Sequence, residues 1–393
     1  MKRILGGIIT TLIVSGCTLG PDYQRPELPM PEAYLQTADE GATIANLPWW
    51  ELFQDQELRT LIQVAMEENK NIAIAAARVE EVRAQYGITR ADQYPNISGG
   101  AEASRGNTAE LINQDLGTNT VLTVGAQLSW EIDIWGKLRR ATESARAQLL
   151  ATEDAQRAVT VSLIAEVANT YLLLRDFDNR LLIAKRTVET RKEALEIIQA
   201  RFDEGTVPLI DVNQADVELA EAQVTRTNLY RQVVQTENAL SILLGRNPGT
   251  ITRGKTLEDQ VFQPDLPTGV PAELLARRPD VRQAELELAA QTARIGIAEA
   301  NRLPSLNLIG QVGFVDDSLD DLFDEDLWNI GSDFIGPLFD AGRSKQQVEV
   351  EIARTEQLLN AYGLTVQQAL REIEDALVAI RTLNESLDYR ERQ

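Results

Sequence analysis

Carboxylates and a single thiol are the side chains in this sequence that could take part in chemistry. The 393 residues contain 60 Asp and Glu, one Cys and no His, and the formal net charge is −22. Without histidine, Ser-His-Asp triads and His-ligated zinc sites are excluded. Such a negative charge also disfavours nucleic acid as a partner, because a phosphate backbone requires a basic surface. The composition permits cationic partners or acids that line a water-filled interior.

Paired carboxylates would support hydrolysis of a glycosidic bond, as in an enzyme that acts on the cell wall. The acids of this chain, however, lie on predicted helix faces and in loops at no special spacing. The densest cluster comprises Asp316, Asp317, Asp320, Asp321, Asp324, Glu325 and Asp326. It lacks the spacing and the glycine of a calcium loop, so a solvated acidic loop is favoured over a divalent-cation site. We therefore expect no enzyme activity, no metal site and no cofactor.

The thiol belongs to Cys17, which follows a short positive start and an apolar stretch from Ile4 to Val14. That stretch is too short to span a membrane and is typical of a signal peptide, predicted here for residues 1–16. Small residues precede the cysteine, as processing of a bacterial lipobox requires, and we predict that Cys17 is acylated. The alternative is an ordinary secretory signal with an incidental cysteine. As the only cysteine, Cys17 cannot form an intrachain disulfide.

The elements that position these groups occur twice. The stretch Ala84–Pro95 recurs as Ala293–Pro304, with Ala, Gly, Ile, Ala and Pro in the same register. Two chance helix-to-strand junctions would not also repeat the order of the elements that follow, so we infer an internal duplication. Residues 17–48 are predicted to cross a surface. Residues 49–260 then hold a helix, two strands and a long helical hairpin, and residues 261–393 hold a helix, two strands and one long helix.

Four stretches alternate between apolar and polar residues, as strands with one wet face do. The clearest runs from Leu122 to Ile134, with Trp130 on its apolar face and Glu131 and Asp133 on its polar face. Their length favours membrane-spanning strands over strands of a soluble sandwich, and the two acids would then face a lumen. The remaining three stretches are Asn96–Ser104, Pro304–Val315 and Leu327–Asp340.

Four strands cannot close a barrel, and open sheet edges are not tolerated in lipid. If the strands form a membrane barrel, the chain must therefore oligomerise. A single lipid anchor also gives only marginal membrane binding, so the strands would supply the second attachment.

Long helices account for most of the remaining sequence. Residues from Gly136 to about Glu204 include no Pro, and at about 1.5 Å per residue such a helix would be about 100 Å long. Heptad-spaced apolar residues from Leu174 to Phe202 match a second seam from Ala215 to Leu243, after a turn at Gly205–Pro208. The two stretches predict an antiparallel coiled-coil hairpin. A purely structural coiled-coil lipoprotein would contain helix alone, and the alternating strands argue against it.

In its motifs the chain resembles the TolC-like outer-membrane factor family, specifically the NodT-type efflux lipoproteins. The resemblance covers nearly the whole chain, and none of the motifs is a catalytic signature. They are Cys17 followed by Gly20-Pro-Asp-Tyr-Gln-Arg-Pro26, Trp49-Trp50 with Phe53, Leu274-Leu-Ala-Arg-Arg-Pro-Asp280, and Phe339-Asp-Ala-Gly342.

The resemblance implies an α+β membrane protein: a homotrimeric, 12-stranded β-barrel with four strands per chain, continued by a long α-helical coiled-coil tunnel through the periplasm. It implies an outer-membrane channel subunit of a tripartite, RND-type efflux system that passively exports drugs, small toxic molecules or metal ions. The partners would be a periplasmic adaptor, an inner-membrane pump and outer-membrane lipid bound through acylated Cys17. Thr18, rather than Asp, after the cysteine favours outer-membrane sorting by resemblance to Gram-negative lipoproteins. A duct for type I protein secretion is the alternative.

By the same resemblance, the periplasmic tip of the hairpin is Arg201–Val212. Arg201, Gly205, Thr206 and Asp211 match the family's pattern at the end that narrows and meets the adaptor. From the residues alone, Gly205 permits a tight reversal, and Asp211 lies in a first helical turn where a carboxylate complements the helix dipole. Asp211 is therefore a candidate for helix stabilisation, for the gate, or for both.

The second repeat stops at Gln393, on the first limb of the hairpin that the resemblance implies. The return limb would then be missing, together with the second tip loop, where the family places its gating acids. A C-terminally truncated, non-conducting fragment is therefore a further alternative, with an apolar seam left poorly covered on the last helix.

Overall fold

The computed structural model describes residues 18–29, 31, 53–106, 119–260, 277–390 and 392. The predicted signal peptide, Cys17 and the Trp49-Trp50 motif lie outside these residues. Within them, the chain forms six helices and four strands. In chain order these are α1 Gln56–Glu68, α2 Lys70–Ala91, β1 Asn96–Gly106, β2 Asn119–Ile132, α3 Lys137–Asp203, α4 Leu209–Leu243, α5 Pro279–Ala300, β3 Ser305–Asp316, β4 Asp326–Ile335 and α6 Arg343–Arg390.

The order helix–strand–strand–helix occurs twice, as the sequence repeat predicts. Helices α2 and α5 both contain 22 residues, and their first and last residues are separated by the same offset in sequence. In each copy an aspartate caps the helix that follows the second strand, Asp133 in one and Asp340 in the other. The repeat in sequence is therefore also a repeat in structure.

The single helix predicted at the start of residues 49–260 is two helices in the described part of the chain, separated at Asn69. Asn69 has an extended backbone, with ψ of 130°, and so ends α1. Its side-chain oxygen accepts hydrogen bonds from the amides of Asn71 and Ile72, and its amide donates to the carbonyl of Leu243 at 2.8 Å. A buried asparagine that caps α2 thus overrides the helical pattern.

The strands form one antiparallel sheet in the order β1-β2-β3-β4. Directly opposed residues of antiparallel strands point to the same face. One face is apolar on all four strands, which confirms the predicted alternation. Its opposed pairs include Ile97 with Leu128, Val124 with Phe314, Trp130 with Leu308, Leu306 with Phe334, and Val312 with Trp328.

Two predicted strand ends are wrong. β2 ends at Ile132, because the carboxylate of Asp133 accepts hydrogen bonds from the amides of Leu138 and Arg139 at the start of α3. β4 ends at Ile335, and the residues that follow lead into α6 instead of continuing to Asp340.

The four helices that connect directly to strands, α2, α3, α5 and α6, join the sheet at one end. Because sequential strands are antiparallel, the first residues of β1 and β3 and the last residues of β2 and β4 lie at the same end. The opposite end carries the turn between β3 and β4, and residues 107–118, which join β1 to β2, lie outside the described residues. Five acids of the cluster fall in that turn, and Asp316 and Asp326 are the strand residues on either side of it.

The predicted antiparallel hairpin of α3 and α4 is confirmed. A short turn joins the helices, and Arg191 on α3 forms an ion pair with Glu218 on α4 at 2.7 Å. The predicted seam is buried where the two helices share a core with α1. Its most buried members include Leu174, Leu181, Val188, Val233 and Leu240.

The chain divides into two compact units, each formed from three segments. The sheet belongs to the first unit and the hairpin tip to the second. The first unit comprises Met1–Leu28, Glu80–Thr152 and Val281–Gln367, and the second comprises Pro29–Val79, Glu153–Asp280 and Gln368–Gln393.

Candidate functional site

The turn between α3 and α4 is shaped by hydrogen bonds that end the first helix. The amide of Gly205 donates to the carbonyl of Phe202 at 2.8 Å, and the amide of Thr206 donates to the carbonyl of Arg201 at 2.9 Å. This is a Schellman motif, which requires a left-handed residue, and Gly205 supplies it with φ of 74°. The Thr206 hydroxyl donates to the same Arg201 carbonyl at 2.8 Å. Three of the four predicted tip residues thus build one turn.

Asp211, the fourth predicted tip residue, lies in the first turn of α4. The residue before that helix, Pro208, provides no side-chain cap. The carboxylate of Asp211 in the first turn complements the positive end of the helix dipole. Arg201 is exposed at the end of α3. Among the residues that the structure describes, neither the Arg201 guanidinium nor the Asp211 carboxylate has an ion-pair partner in the same chain. Both charges are available to another molecule.

The tip is also apolar at its surface. Leu209 is 54% exposed and Ile210 is 65% exposed at the start of α4. Two adjacent aliphatic side chains in water beside unpaired charges are typical of a surface that contacts a partner.

The two acids predicted on the polar face of β2 have different roles. Glu131 lies on that face, and its carboxylate forms an ion pair with the Lys137 ammonium at 2.5 Å. Asp133 lies beyond the strand, where it caps α3 and binds Arg139 at 3.2 Å. Asp133 is therefore a helix-capping residue and not a strand residue.

A second acid on the polar face was not identified from the sequence. Asp333 of β4 lies opposite Asn307 of β3, which in turn lies opposite Glu131. The alternation within β4 placed Asp333 on the polar parity, but only the register of three strands brings it level with Glu131. Four residues away from this level along each strand, beyond Ser129 and Ile309, the polar face carries a row of neutral polar side chains. They are Ser98, Gln127, Gln311 and Asn329, paired in that order across the four strands.

A buried carboxylate organises the base of the hairpin. Asp55 is 1% exposed, caps α1, and accepts hydrogen bonds from the Tyr171 hydroxyl at 2.9 Å and the Gln260 amide at 2.8 Å. Burial opposes ionisation of Asp55, but the hydrogen bonds outweigh it and lower its pKa. Burial and the bond to Asp55 raise the pKa of Tyr171 to about 12. The backbone amide of Lys255 also donates to Asp55, so one carboxylate joins α1, α3 and the segment after α4.

Arg278, in the Arg-Arg-Pro-Asp motif, links the start of α5 to α6. Its guanidinium binds the carboxylate of Asp280 at 2.7 Å and that of Glu372 at 2.8 Å. The hydrogen bond to Asp280, joined by that to Glu372, raises the pKa of Arg278 against the effect of burial. The motif has a structural role that its sequence alone did not indicate.

Comparison with known proteins identifies one family over most of the chain. The family model described as "Outer membrane efflux protein" matches residues 61–246 and 270–393. The cation efflux system protein CusC of Escherichia coli (strain K12) is 30% identical over 393 residues, which cover 97% of this chain and 84% of that protein. The solvent efflux pump outer membrane protein SrpC of Pseudomonas putida is 33% identical over 388 residues, covering 96% and 82%.

Solved structures of outer membrane channels have a similar fold. The open state of the Neisseria gonorrhoeae MtrE outer membrane channel superimposes with a TM-score of 0.85 at 29% sequence identity. The match covers 96% of this chain and 85% of that one.

Proposed function

The chain belongs to the outer membrane efflux protein family, and we propose that three copies form the outer-membrane duct of a tripartite efflux system. Membership confirms the family indicated by the sequence motifs. It also places the protein in the outer membrane of a Gram-negative cell, where it serves efflux, with its helices extending into the periplasm. The family consists of efflux channels and not of enzymes.

The observation that carries the trimeric barrel is the amphipathic sheet with two free edges. Among the described residues, β1 pairs only with β2 and β4 pairs only with β3. The apolar face is exposed on the edge strand, where Trp328 is 70%, Ile330 is 81% and Phe334 is 61% exposed. Such a face suits lipid, but lipid does not tolerate open edges. Pairing the edges of three copies gives twelve strands and removes both.

We further propose that Cys17 is acylated and that the lipid joins the barrel in holding the protein in the membrane. Support comes from the lipobox text and from the marginal binding that one lipid chain provides by itself. The strands then contribute the larger part of the membrane affinity.

The proposed cargo is small: drugs, toxic solutes or metal ions. The names of CusC and SrpC refer to cation efflux and solvent efflux, respectively. The polar face of the sheet, with Glu131, Asp333 and a row of neutral side chains, is compatible with the passage of hydrated solutes. Selection among solutes would fall to the pump.

The hairpin tip is proposed as the contact with the periplasmic adaptor and as part of the gate. Support comes from Arg201 and Asp211, whose charges have no ion-pair partner in the described part of one chain. Exposed Leu209 and Ile210 beside them supply apolar contact area. In the closed duct, Arg201 and Asp211 would bind groups of neighbouring copies.

Two measurements test the duct. We expect detergent-purified protein to be trimeric and to give single-channel currents in planar bilayers. Deletion of the gene should raise sensitivity to a pump substrate, and the wild-type gene should restore resistance. Unchanged sensitivity in an isogenic deletion strain would count against an efflux role, and a monomer without conductance would count against the barrel.

The tip is tested by charge. Asp211→Asn should raise the single-channel conductance if Asp211 holds the closed state, because its ionic links are lost. Asp216→Asn, on the same helix, is the matched control. Equal conductance of Asp211→Asn and wild type would leave Asp211 with the helix-stabilising role alone.

A further inference from the structure

The residues that follow Cys17 are fastened to the rest of the chain. Residues 18–25, here called the strap, meet the guanidinium of Arg140 in the first turns of α3. That guanidinium donates to the carbonyls of Leu19 at 3.0 Å and Gly20 at 3.1 Å, and to the carboxylate of Asp22 at 2.7 Å. The Arg140 side chain is only 4% exposed. A buried guanidinium with three acceptors from one short segment is a built binding site for that segment.

Glycines let the strap approach its surroundings closely. A Cβ on Gly20 would lie 2.4 Å from the Cα of Gly296 on α5, and a Cβ on Gly296 would lie 2.4 Å from the carbonyl oxygen of Leu19. A Cβ on Gly136 would lie 2.8 Å from the side chain of Thr18. All three distances are too short for a Cβ unless neighbouring atoms move, so glycine is favoured where the backbone of the strap passes. The surface formed by Gly136, Arg140 and Gly296 is here called the cradle.

Further contacts fix the two ends of the strap. The amide of Leu19 donates to the carbonyl of Trp135 at 3.2 Å, at the junction of β2 and α3. The Arg25 guanidinium binds the carboxylate of Glu285 on α5 at 2.7 Å, and the Tyr23 hydroxyl donates to Glu285 at 3.4 Å. The strap thus binds residues of both repeats within the first unit.

We propose that this cradle positions the acylated N-terminus, with Arg140 as the main positioning residue. The inference rests on the proposed lipidation and on the proposed barrel. Cys17 is bonded to Thr18, and consecutive Cα atoms are about 3.8 Å apart. A lipid on Cys17 therefore enters the membrane beside Gly136, at the end of the sheet from which the helices leave. On a free tether of the same length, the lipid would explore a wider area.

Photo-crosslinking of the lipid tests the proposal on the full chain in cells. Cells are fed a fatty acid with a photoactivatable group, the trimer is purified, and the crosslinked peptides are mapped by mass spectrometry. In wild type we expect crosslinks concentrated on the apolar face at the helix end of the sheet, near Ile132, Leu306 and Phe334. In Arg140→Gln the lipid should remain attached but spread laterally around the barrel, so the share of crosslinks at these three positions should fall several-fold.

Matched variants separate positioning from general stability. Arg157→Ala removes another α3 arginine with an i,i+3 partner, but that arginine is 57% exposed and does not touch the strap. It should leave the crosslink map unchanged. If Arg140→Gln does not fold, Asp22→Asn removes the only charged acceptor that the strap offers to Arg140, at a side chain that is 88% exposed. Hydrogen exchange of residues 18–25 should then accelerate several-fold while exchange of α3 is unchanged.

The outcomes are distinguishable. Wild-type protein with lipid attached and a crosslink map identical to that of Arg140→Gln or Asp22→Asn would overturn the positioning role and leave the duct intact. Wild-type protein without lipid would overturn both the lipidation and this inference. Conductance of the same preparation reports on the duct independently of either result.

Discussion

The two helices that precede the two pairs of strands have the same length but opposite surroundings. Only Val79 of α2 is buried, whereas α5 buries ten residues. Ile74 and Ile88 of α2 are 65% and 59% exposed, while Ile295 of α5 packs in a cluster with Ala298 and Val348 of α6. Duplication has therefore copied the helix without copying its environment.

This difference supports assembly from several copies. The second repeat finds cover for α5 within its own chain, from α6 and from the strap. The equivalent surface of the first repeat is left open, and a chain with an aliphatic helix face in water needs a neighbour to cover it. Closing three copies into a ring would supply that neighbour. The comparison thus predicts that substitutions at equivalent positions have unequal effects in the two repeats.

The largest effect is expected at the glycines that begin α3 and α6. Gly136 and Gly342 have φ of 79° and 86°, so alanine at either position is strained by about 1–2 kcal/mol. At Gly136 the new Cβ also meets Thr18 at 2.8 Å, and such overpacking adds about 1–3 kcal/mol. A Cβ on Gly342 would have no atom within 4 Å, apart from those of its chain neighbours. Denaturant unfolding should therefore show Gly136→Ala as the more destabilising variant, and equal losses would refute a packed strap.

The next pair is Gly296 of α5 and its counterpart Gly87 of α2. Gly296→Ala places a Cβ 2.4 Å from the carbonyl oxygen of Leu19 and should cost about 1–3 kcal/mol. Nothing lies within 4 Å of a Cβ at Gly87. In dissociated monomer, Gly87→Ala should stabilise α2 by about 0.5–1 kcal/mol, because alanine is the better helix former. If that gain reverses in the assembled protein, a neighbouring copy covers α2; if it persists there, α2 stays open to solvent.

A smaller difference is expected between the aspartates that cap the same two helices. Asp133 is 16% exposed and accepts two backbone hydrogen bonds, in addition to its ion pair with Arg139. Asp133→Ala should cost about 1 kcal/mol in thermal or denaturant unfolding. Hydrogen bonds from the side chain and amide of Ser344 and from the amide of Gly342 lower the pKa of Asp340, but among the described residues this carboxylate forms no ion pair, so Asp340→Ala should cost less. A larger loss for Asp340→Ala would contradict the ranking of the two caps by their number of partners.

Sequence patterns predicted what is local in this fold. Period-two alternation identified the apolar face of all four strands, and heptad spacing identified the α3–α4 seam, because both patterns are set by neighbours a few residues apart. The same reasoning placed Gly205 and Asp211 correctly at the hairpin turn. The helical pattern did not separate α1 from α2, because the cap at Asn69 depends partly on a hydrogen bond to Leu243, which is distant in sequence.

The strap could not be predicted in this way. The motif from Gly20 to Pro26 was recognised as specific, but Asp22 and Arg140 are separated by 118 residues, and Arg25 and Glu285 by 260. No local period encodes such a contact. The alignment of Asp333 with Glu131 could not be predicted for the same reason, because it depends on the register of three strands.

The smallest expected effect is on the pH dependence of stability, and it contrasts the buried cap Asp55 in the first repeat with the half-buried cap Asp340 in the second. Hydrogen bonds from Gln260 and Tyr171 outweigh the effect of burial and hold the pKa of Asp55 below its ordinary value of 3.8. A carboxyl whose folded pKa is depressed adds stability above its unfolded pKa, and that stability is lost as pH falls through the folded pKa.

Wild type should therefore keep a constant unfolding midpoint from about pH 7 to about pH 5 with respect to this group, and lose stability below about pH 4. Asp55→Asn should be less stable at pH 7 and lack part of that acid step, while Asp340→Asn should retain the part that is due to Asp55. An acid step of equal size in wild type and Asp55→Asn would assign the acid sensitivity to other carboxylates. The hydrogen-bond network around Asp55 and Tyr171 would then be no more sensitive to pH than the cap at Asp340.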